Sequence, residues 1–321
     1  MNRSISQCFG VDVSKAELVI GDNTSERIVK IANRSEAIRG WLRRLPENCH
    51  IGMEATGTYH VALADLAHER GHRVYVLNPR SVAVYLKGLR SRGKTDILDA
   101  RGITRFVERE TDELEPYEPP TVLQRSIRTL LHRRHQVVKQ RAAMRLSCQH
   151  LDVSVRATFT PLLNAFDQCL RNIDIKLRQM VRSDPTLHQL ERNLRTIPGV
   201  GPLVGTALAL RLSRHPYRNS DALVAALGMD PRPCQSGTSE GVRHLSKQGN
   251  GEERRLIYMA AVSACKTAHW RAKFENLLTR GNPTTAALCI IARKLLRIAF
   301  AINRSSEPYR EELGVQTCSA S

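Results

Sequence analysis

The sequence predicts an α/β domain followed by an all-α region, a fold class of α/β plus all-α, and three observations lead to this prediction. Short apolar strand patterns alternate with amphipathic helix patterns over the first 118 residues, whereas helical periodicity dominates afterwards. The acidic, proline-containing segment "TDELEPYEPP" separates the two regions. The charge also changes there: residues 1–120 hold 18 Lys and Arg against 17 Asp and Glu, and residues 121–321 hold 31 against 14.

The first region predicts a sheet with mixed strand directions. Three apolar segments separated by short gaps predict an antiparallel meander: residues 7–13, 16–23 and 27–33. A helix, a strand, a second helix and another strand are predicted next: residues 33–45, 50–57, 59–71 and 73–79. Asn33 and Glu36 have the spacing of a capping box at the first helix. Alternating strands and helices after a meander indicate one α/β domain with a mixed sheet.

The second region begins with two long helix patterns. Residues 121–151 form a long predicted helix with seven basic and no acidic side chains. A second helix is predicted to begin at Thr160, with Pro161 in its first turn. Its apolar residues alternate four and three positions apart, which predicts a coiled-coil seam: Phe159, Leu163, Phe166, Leu170, Ile173, Leu177 and Met180. Either a helix of the same chain or an oligomer partner covers this seam.

The remaining sequence predicts helices interrupted by two informative loops. The stretch "LRTIPGVGPLVGTALAL" resembles a helix-hairpin-helix, in which Gly199 and Gly201 let the turn approach a phosphate backbone. The alternative is a tight turn between helices without a ligand. Residues 231–250 are rich in Ser, Gly, Pro and basic side chains, which predicts a surface loop.

These patterns divide the chain into four parts. The α/β domain comprises residues 1–118, or alternatively extends to about residue 150. Residues 119–184 form a helical coiled-coil linker. Residues 185–310 form the helical C-terminal domain, and residues 311–321 form a tail.

Composition limits the class of protein. The net charge of +18 is concentrated after residue 120, which favours a nucleic-acid partner. No apolar run is long enough to span a membrane, and the start of the chain lacks the apolar segment of a signal peptide. The eight cysteines are scattered without CxxC pairs, so structural zinc is not expected. We therefore expect a cytoplasmic protein associated with the nucleoid and no membrane partner.

Four carboxylates occupy places where a cation site is expected. Asp12 and Glu54 interrupt apolar strand patterns, where a charge is costly unless it is paired or bound to metal. Asp96 and Asp99 follow Thr95, a candidate N-cap, and face the same side of a predicted helix. The helix dipole alone explains Asp96, so this pair leaves the alternatives open. Together the four acids are suited to divalent cations around a phosphate.

The motifs "GVDVSK", "MEATGTY", "NP" and "KTDILDA", in this order, resemble the DEDD catalytic domain of the insertion-sequence-110 transposase family, which includes the Piv-type DNA invertases. That domain is similar to the RuvC resolvase and has an RNase H-like fold. The resemblance implies that Asp12, Glu54, Asp96 and Asp99 bind Mg²⁺ or Mn²⁺.

The stretch "GMDPRPCQSGTSEGVRHLSKQGN" resembles the C-terminal transposase domain of the same family. The resemblance implies that Ser236 is a nucleophile, with Thr238 and Ser239 as alternatives, and that DNA is cut and rejoined through a serine–phosphate intermediate. It also implies a site shared between protomers of a homo-oligomer (a dimer or tetramer), donor and target DNA, and a guide RNA. His244 is a candidate base for Ser236.

Several basic or glycine positions are candidates for nucleic-acid contact: Lys94, Arg125, Arg133, Arg134, Gly199, Gly201, Arg243 and Lys247. Two other functions agree with the same features, namely a RuvC-like nuclease that uses water and a non-catalytic nucleic-acid-binding protein. The segment "GVDVSK" also resembles the first phosphate-binding strand of sugar kinases. A sugar kinase does not fit, because the chain is strongly basic and its sequence lacks the second glycine-rich phosphate loop.

Overall fold

The computed structural model describes residues 7–25, 27–55, 57–88, 95–232, 235–236, 239–240 and 244–310. For residues 235, 236, 239 and 240 only the backbone is described. The chain divides into two compact units, Met1–Pro119 and Pro120–Ser321. No helix in the described ranges is long and apolar enough to cross a membrane.

The first unit contains a five-stranded mixed sheet, as the sequence predicted. Its strands are β1 (Cys8–Val13), β2 (Glu17–Asp22), β3 (Ile28–Ala32), β4 (His50–Glu54) and β5 (Arg73–Leu77). Their order across the sheet is β3-β2-β1-β4-β5. The meander β1-β2-β3 is antiparallel, and β1, β4 and β5 run parallel to one another. The connecting helices supply the crossovers that parallel strands require.

Four helices belong to this unit: α1 (Ser35–Leu42), α2 (Val61–Glu69), α3 (Pro79–Gly88) and α4 (Asp96–Glu110). Helices α1 and α2 share an apolar core with one face of β1, including Phe9 and Val11, while Cys8 on the other face packs with Ile103 of α4. Helix α3 was not predicted. The predicted capping box is wrong: Arg34 is the N-cap of α1, and Asn33 donates instead to the carbonyls of Ser14 and Tyr59.

The second unit begins with two antiparallel helices, α5 (Val122–Ser147) and α6 (Val153–Arg182). Two ion pairs fix their register, Arg134 with Asp174 and Arg141 with Asp167. The predicted start at Thr160 is wrong, because α6 begins at Val153 and contains Pro161 in its interior. Asp152, a residue type favoured at helix starts, is the N-cap of α6, so the eight residues before Pro161 are helical as well.

The predicted seam faces α5 within the same chain at its C-terminal end. Ile173, Leu177 and Met180 of the seam pack into the same core as Ile127 of α5. That core also contains residues of α8 and α12, so residues 119–184 pack with the rest of the unit and are not a separate linker.

Six further helices complete the described part of the unit: α7 (Pro185–Leu194), α8 (Pro202–Arg214), α9 (Ser220–Ala226), α10 (Gly251–Ala264), α11 (Ala268–Thr279) and α12 (Thr284–Ser305). The predicted surface loop between α9 and α10 contains short strands: β6 (Pro231–Arg232), β7 (Gln235–Ser236), β8 (Ser239–Glu240) and β9 (His244–Leu245). Strand β6 pairs with β9 and β7 pairs with β8, both antiparallel. Residues 231–245 are called the serine arm below.

Candidate active site

Three glycines lie opposite one another on neighbouring strands of the first sheet. Gly10 on β1 is paired with Gly21 on β2 and with Gly52 on β4. A Cβ atom at Gly10 would lie 2.1 Å from the backbone nitrogen of Thr104, and one at Gly52 would lie 2.1 Å from Cγ2 of Val107. Helix α4 therefore lies directly on the strand backbones, which only glycine permits here.

A buried threonine fastens α4 to this glycine row. The backbone N–H of Gly10 donates to Oγ1 of Thr104 at 3.0 Å, and that hydroxyl donates to the carbonyl of Ala100 at 2.9 Å. Thr104 is only 3% exposed. Because side chains two apart on a strand share a face, Asp12 lies on the same face of β1 as Gly10, the face that α4 covers.

The helix start and two strand ends bring the four acids to one edge of the sheet. Thr95 is the N-cap of α4, as predicted, and its hydroxyl accepts from the N–H of Leu98 at 3.3 Å. Asp96 and Asp99 therefore lie in the first turn. On the parallel strands β1 and β4, Asp12 and Glu54 each follow directly after the paired residues Val11 and Met53. These are the four positions that the sequence analysis selected.

The four carboxylates interact through their charges. Burial raises the pKa of Asp12 to about 6, and repulsion from Asp96, Asp99 and Glu54 adds to this rise. The N–H of Val13 donates to the carboxylate and opposes the rise in pKa. Holding this group ionised at neutral pH therefore costs free energy in the folded protein.

The four carboxylates suit a hard divalent cation, although they do not form a complete coordination site. Among the residues that the structure describes, no three His, Cys, Asp or Glu side chains have the arrangement of an assembled metal site. Carboxylate oxygens are nevertheless the ligands that Mg²⁺ and Mn²⁺ prefer. A cation would also offset the repulsion that raises the pKa of Asp12. The chemistry of the four residues fits the predicted metal.

The serine arm carries the other candidate catalytic residue. The backbone of Ser236 lies in β7 and is paired with Ser239 in β8. The side chain of Ser236 lies outside the described part of the structure, and so do Thr238, Arg243 and Lys94. His244 is exposed in β9, where it is paired with Arg232.

An arginine that the sequence analysis missed fixes the base of the arm. Nη1 of Arg254 donates to three backbone carbonyls, those of Leu227 at 3.2 Å, Gln248 at 3.2 Å and Gly249 at 3.0 Å. Gly228 adopts a φ of +65°, and a Cβ there would lie 1.9 Å from the carbonyl oxygen of Gln248. The chain before and after the arm is thus held together. The sequence signal that could have identified Arg254 is a basic residue directly after a glycine-rich loop.

The two turn glycines have different surroundings. Gly199 has a φ of +84°, and a Cβ there would lie 2.2 Å from the carbonyl oxygen of Ala260 and 2.6 Å from the nitrogen of Ala264. The close approach that this glycine permits is therefore made to α10. Gly201 is the exposed N-cap of α8, with no described atom within 4 Å of its Cβ position.

The basic candidates on α5 also differ. Arg134 is engaged with Asp174 through two hydrogen bonds, of 2.6 and 3.1 Å, so its guanidinium has a structural role. Nε of Arg125 donates to the carbonyl of Pro120 at 3.1 Å. Arg133 is exposed and contacts only the neutral amide of Gln136 among the described residues. Lys247, beside the arm, has a φ of +51°.

Both parts of the chain match transposase domains. Residues 9–153, which include the four acids, match the DEDD domain of IS110 transposases, and residues 191–275, which include Ser236, match the "Transposase IS116/IS110/IS902 family". The chain is 26% identical over 272 residues to the "Pilin gene-inverting protein" of Moraxella bovis, covering 82% of this chain and 83% of that protein. It is 25% identical over 343 residues to the "Probable family 20 transposase" of Pseudomonas aeruginosa, covering 94% and 98%. The chain therefore carries the two transposase domains of the IS110 family.

Proposed function

We propose that this protein is a metal-dependent DNA recombinase that cuts and rejoins strands by phosphoryl transfer. The observation that carries the proposal is the glycine row, because it seats α4 so that Asp96 and Asp99 repel Asp12. The family matches support transposition and recombination in general. Relatives named as a gene-inverting protein and as transposases fit one cut-and-rejoin chemistry with different outcomes.

We assign the first unit to the RNase H-like, RuvC-like folds. The strand order β3-β2-β1-β4-β5 and an antiparallel meander followed by parallel strands support this assignment. So does the position of the acids on β1, β4 and the first turn of α4.

In the proposed mechanism Asp12, Glu54, Asp96 and Asp99 hold Mg²⁺ or Mn²⁺. When bound, the cation supplies a positive charge that polarises the scissile phosphate and lowers the barrier for an attacking hydroxyl. The chain supplies orientation: Thr95 fixes the start of α4, and Thr104 fixes its distance from β1. Asp12 is half-buried, and burial together with repulsion from the other three acids raises the pKa of its carboxyl group.

The proposed nucleophile is the hydroxyl of Ser236. Its oxygen forms a bond to phosphorus, the bond from phosphorus to one deoxyribose oxygen breaks, the serine proton is lost to a base, and the leaving oxygen gains a proton. Rejoining reverses these steps with the hydroxyl of another strand. His244 is a candidate base. The anchoring of the arm by Arg254 supports a defined position for the serine.

The proposed partners are donor and target DNA, a guide RNA, and further copies of this chain as a dimer or tetramer. The excess of basic residues after residue 120 supports a large nucleic-acid load. The guide RNA and the site shared between protomers rest on the family resemblance. Because the proposed substrate is DNA, the proposed location of the protein is the nucleoid.

Strand cleavage by matched variants tests the proposal. We expect Asp12→Asn to abolish Mg²⁺-dependent cleavage of DNA carrying the ends of the element, with DNA affinity preserved, because the replacement removes a ligand and not a fold element. Glu17→Gln is the control, since Glu17 is an acid on β2 paired with Lys30 and not part of the site. Normal cleavage by Asp12→Asn would contradict the metal site. Binding without any cleavage by the parent protein would favour a non-catalytic binder.

A further inference from the structure

A cleft lies between α6 and α8 in the second unit, away from the serine arm in sequence. Its volume is about 370 Å³, and its walls combine apolar side chains with arginines. We infer that this cleft binds one unstacked nucleotide of a single-stranded segment, with the base inside and the flanking phosphates on Arg171 and Arg178. The inference rests on the nucleic-acid binding in the proposed function, but not on its cleavage chemistry.

The interior of the cleft suits the face of a base. Ile175, Leu177, Pro202 and Leu203 contribute apolar side chains to its lining. Ile175 is a large apolar side chain that remains 46% exposed. Each base presents an apolar face whatever its sequence, so an apolar cleft wall can pack against any of the four bases.

The rim of the cleft suits phosphate. Arg171 and Arg178 are seven residues apart on α6, which puts them on one face about 10.5 Å apart along the axis. Arg171 is held by the neutral side-chain oxygen of Gln168, at 2.7 and 3.2 Å, so its charge is not cancelled. Arg178 is exposed and forms no ion pair with the residues that the structure describes.

The acid in the cleft wall does not oppose an anion. Both carboxylate oxygens of Asp174 accept hydrogen bonds from Arg134, which neutralises this charge. Pro202 opens α8, so the positive end of that helix dipole also faces the cleft. The combination of a concave apolar interior with an uncancelled cationic rim fits a single nucleotide. A duplex, whose bases are stacked inside, would leave the apolar interior without a contact.

Photocrosslinking of the full-length protein tests the inference. The probes are a short oligothymidine containing 4-thiothymidine and a short oligouridine containing 4-thiouridine, because DNA and RNA share the proposed chemistry. We expect crosslinked peptides that contain Ile175 or Leu203. The double variant Arg171→Ala, Arg178→Ala should lower their yield about tenfold, because both phosphate contacts at the rim are lost. Its log–log salt slope should fall by about 1.4, or about 0.7 for each phosphate contact.

Arg156→Ala is the matched control, because Arg156 is an exposed arginine on the same helix that does not line the cleft. It should leave these crosslinks unchanged. Crosslinks with one probe only would support the site and identify DNA or RNA as its source. Crosslinks confined to other peptides, or equal yields from the double variant and the parent, would overturn the inference. Affinity for duplex DNA is measured in parallel, since its absence in the parent protein would count against the proposed function instead.

Discussion

Replacing Asp12 with asparagine should stabilise the folded protein at neutral pH while it abolishes activity. The change removes one of the charges that repel one another at the start of α4, and the asparagine oxygen can still accept from the N–H of Val13. Asparagine is nearly isosteric, so packing against α4 is preserved. The same carboxylate that is needed for a cation thus lowers the free energy of unfolding when no cation is bound.

The magnitude follows from the pKa. A rise from 3.8 to about 6 corresponds to a cost of at most about 3 kcal/mol once the group is ionised. Asp12 is only partly buried, so solvent screening reduces the expected gain from Asp12→Asn to about 1–2 kcal/mol at pH 7. Because the pKa of Asp12 is higher in the folded state, the parent protein loses this stability as the pH rises from about 4 to about 6. The advantage of the variant should therefore shrink as pH falls through 6.

Urea unfolding followed by Trp41 fluorescence measures this difference. Trp41 packs edge-on against Phe9 of β1 at 5.6 Å, so its emission reports on the first unit. Both proteins carry Trp270→Phe, which removes the signal of the second unit. Added Mg²⁺ should raise the midpoint of the parent and not that of the variant, because ligand binding stabilises only the state that binds it.

The reasoning would be refuted if Asp12→Asn were less stable than the parent at pH 7. It would also be refuted if the difference between the two proteins were the same at pH 4 and pH 7. Either result would mean that burial and repulsion from the other acids do not raise the pKa of Asp12 in the folded protein.

Three other predictions follow from the packing, the arm and the charge. Gly10→Ala should destabilise the first unit by about 1–3 kcal/mol and abolish cleavage, because the added Cβ would displace α4. Gly40→Ala is the control, since Gly40 is in helix α1 and has open space at its Cβ position; this variant should keep the thermal melting temperature and the cleavage rate of the parent. Arg254→Met should slow strand cleavage without changing DNA affinity, because methionine has no N–H group to donate to the three carbonyls. Arg255→Met removes the same charge on the exposed side of the helix and should match the parent, so equal rates for both variants would contradict an anchoring role. Duplex affinity should fall with a log–log salt slope of about −0.9 for each phosphate contacted, and a flat salt titration would argue against the basic region as the binding surface.

The sheet and the start of α4 were predictable because their determinants are local. Apolar strand segments separated by short gaps define the meander, and Thr95 before Asp96 has the pattern of an N-cap. The positions of the four acids followed from the same local patterns. Their mutual repulsion depends on packing, which no single segment contains.

The glycine row was not predictable from spacing. Gly10, Gly21 and Gly52 are far apart in sequence and become neighbours only through the strand register. Helix α4 fills the space beside Gly10, and this contact likewise exists only in the folded sheet. The start of α6 was also missed, because Pro161 has the local pattern of a first turn, whereas Asp152 is the N-cap of the helix.

The central claim, a metal-dependent recombinase with a serine nucleophile, is tested most directly by trapping the protein on a suicide DNA substrate with Mg²⁺ and mapping the modified peptide. The account predicts a covalent adduct on Ser236 that disappears in Ser236→Ala, in Asp12→Asn and when Mg²⁺ is chelated. Metal-dependent cleavage by Ser236→Ala at the parent rate, with no adduct in the parent, would contradict the account and identify a nuclease that uses water.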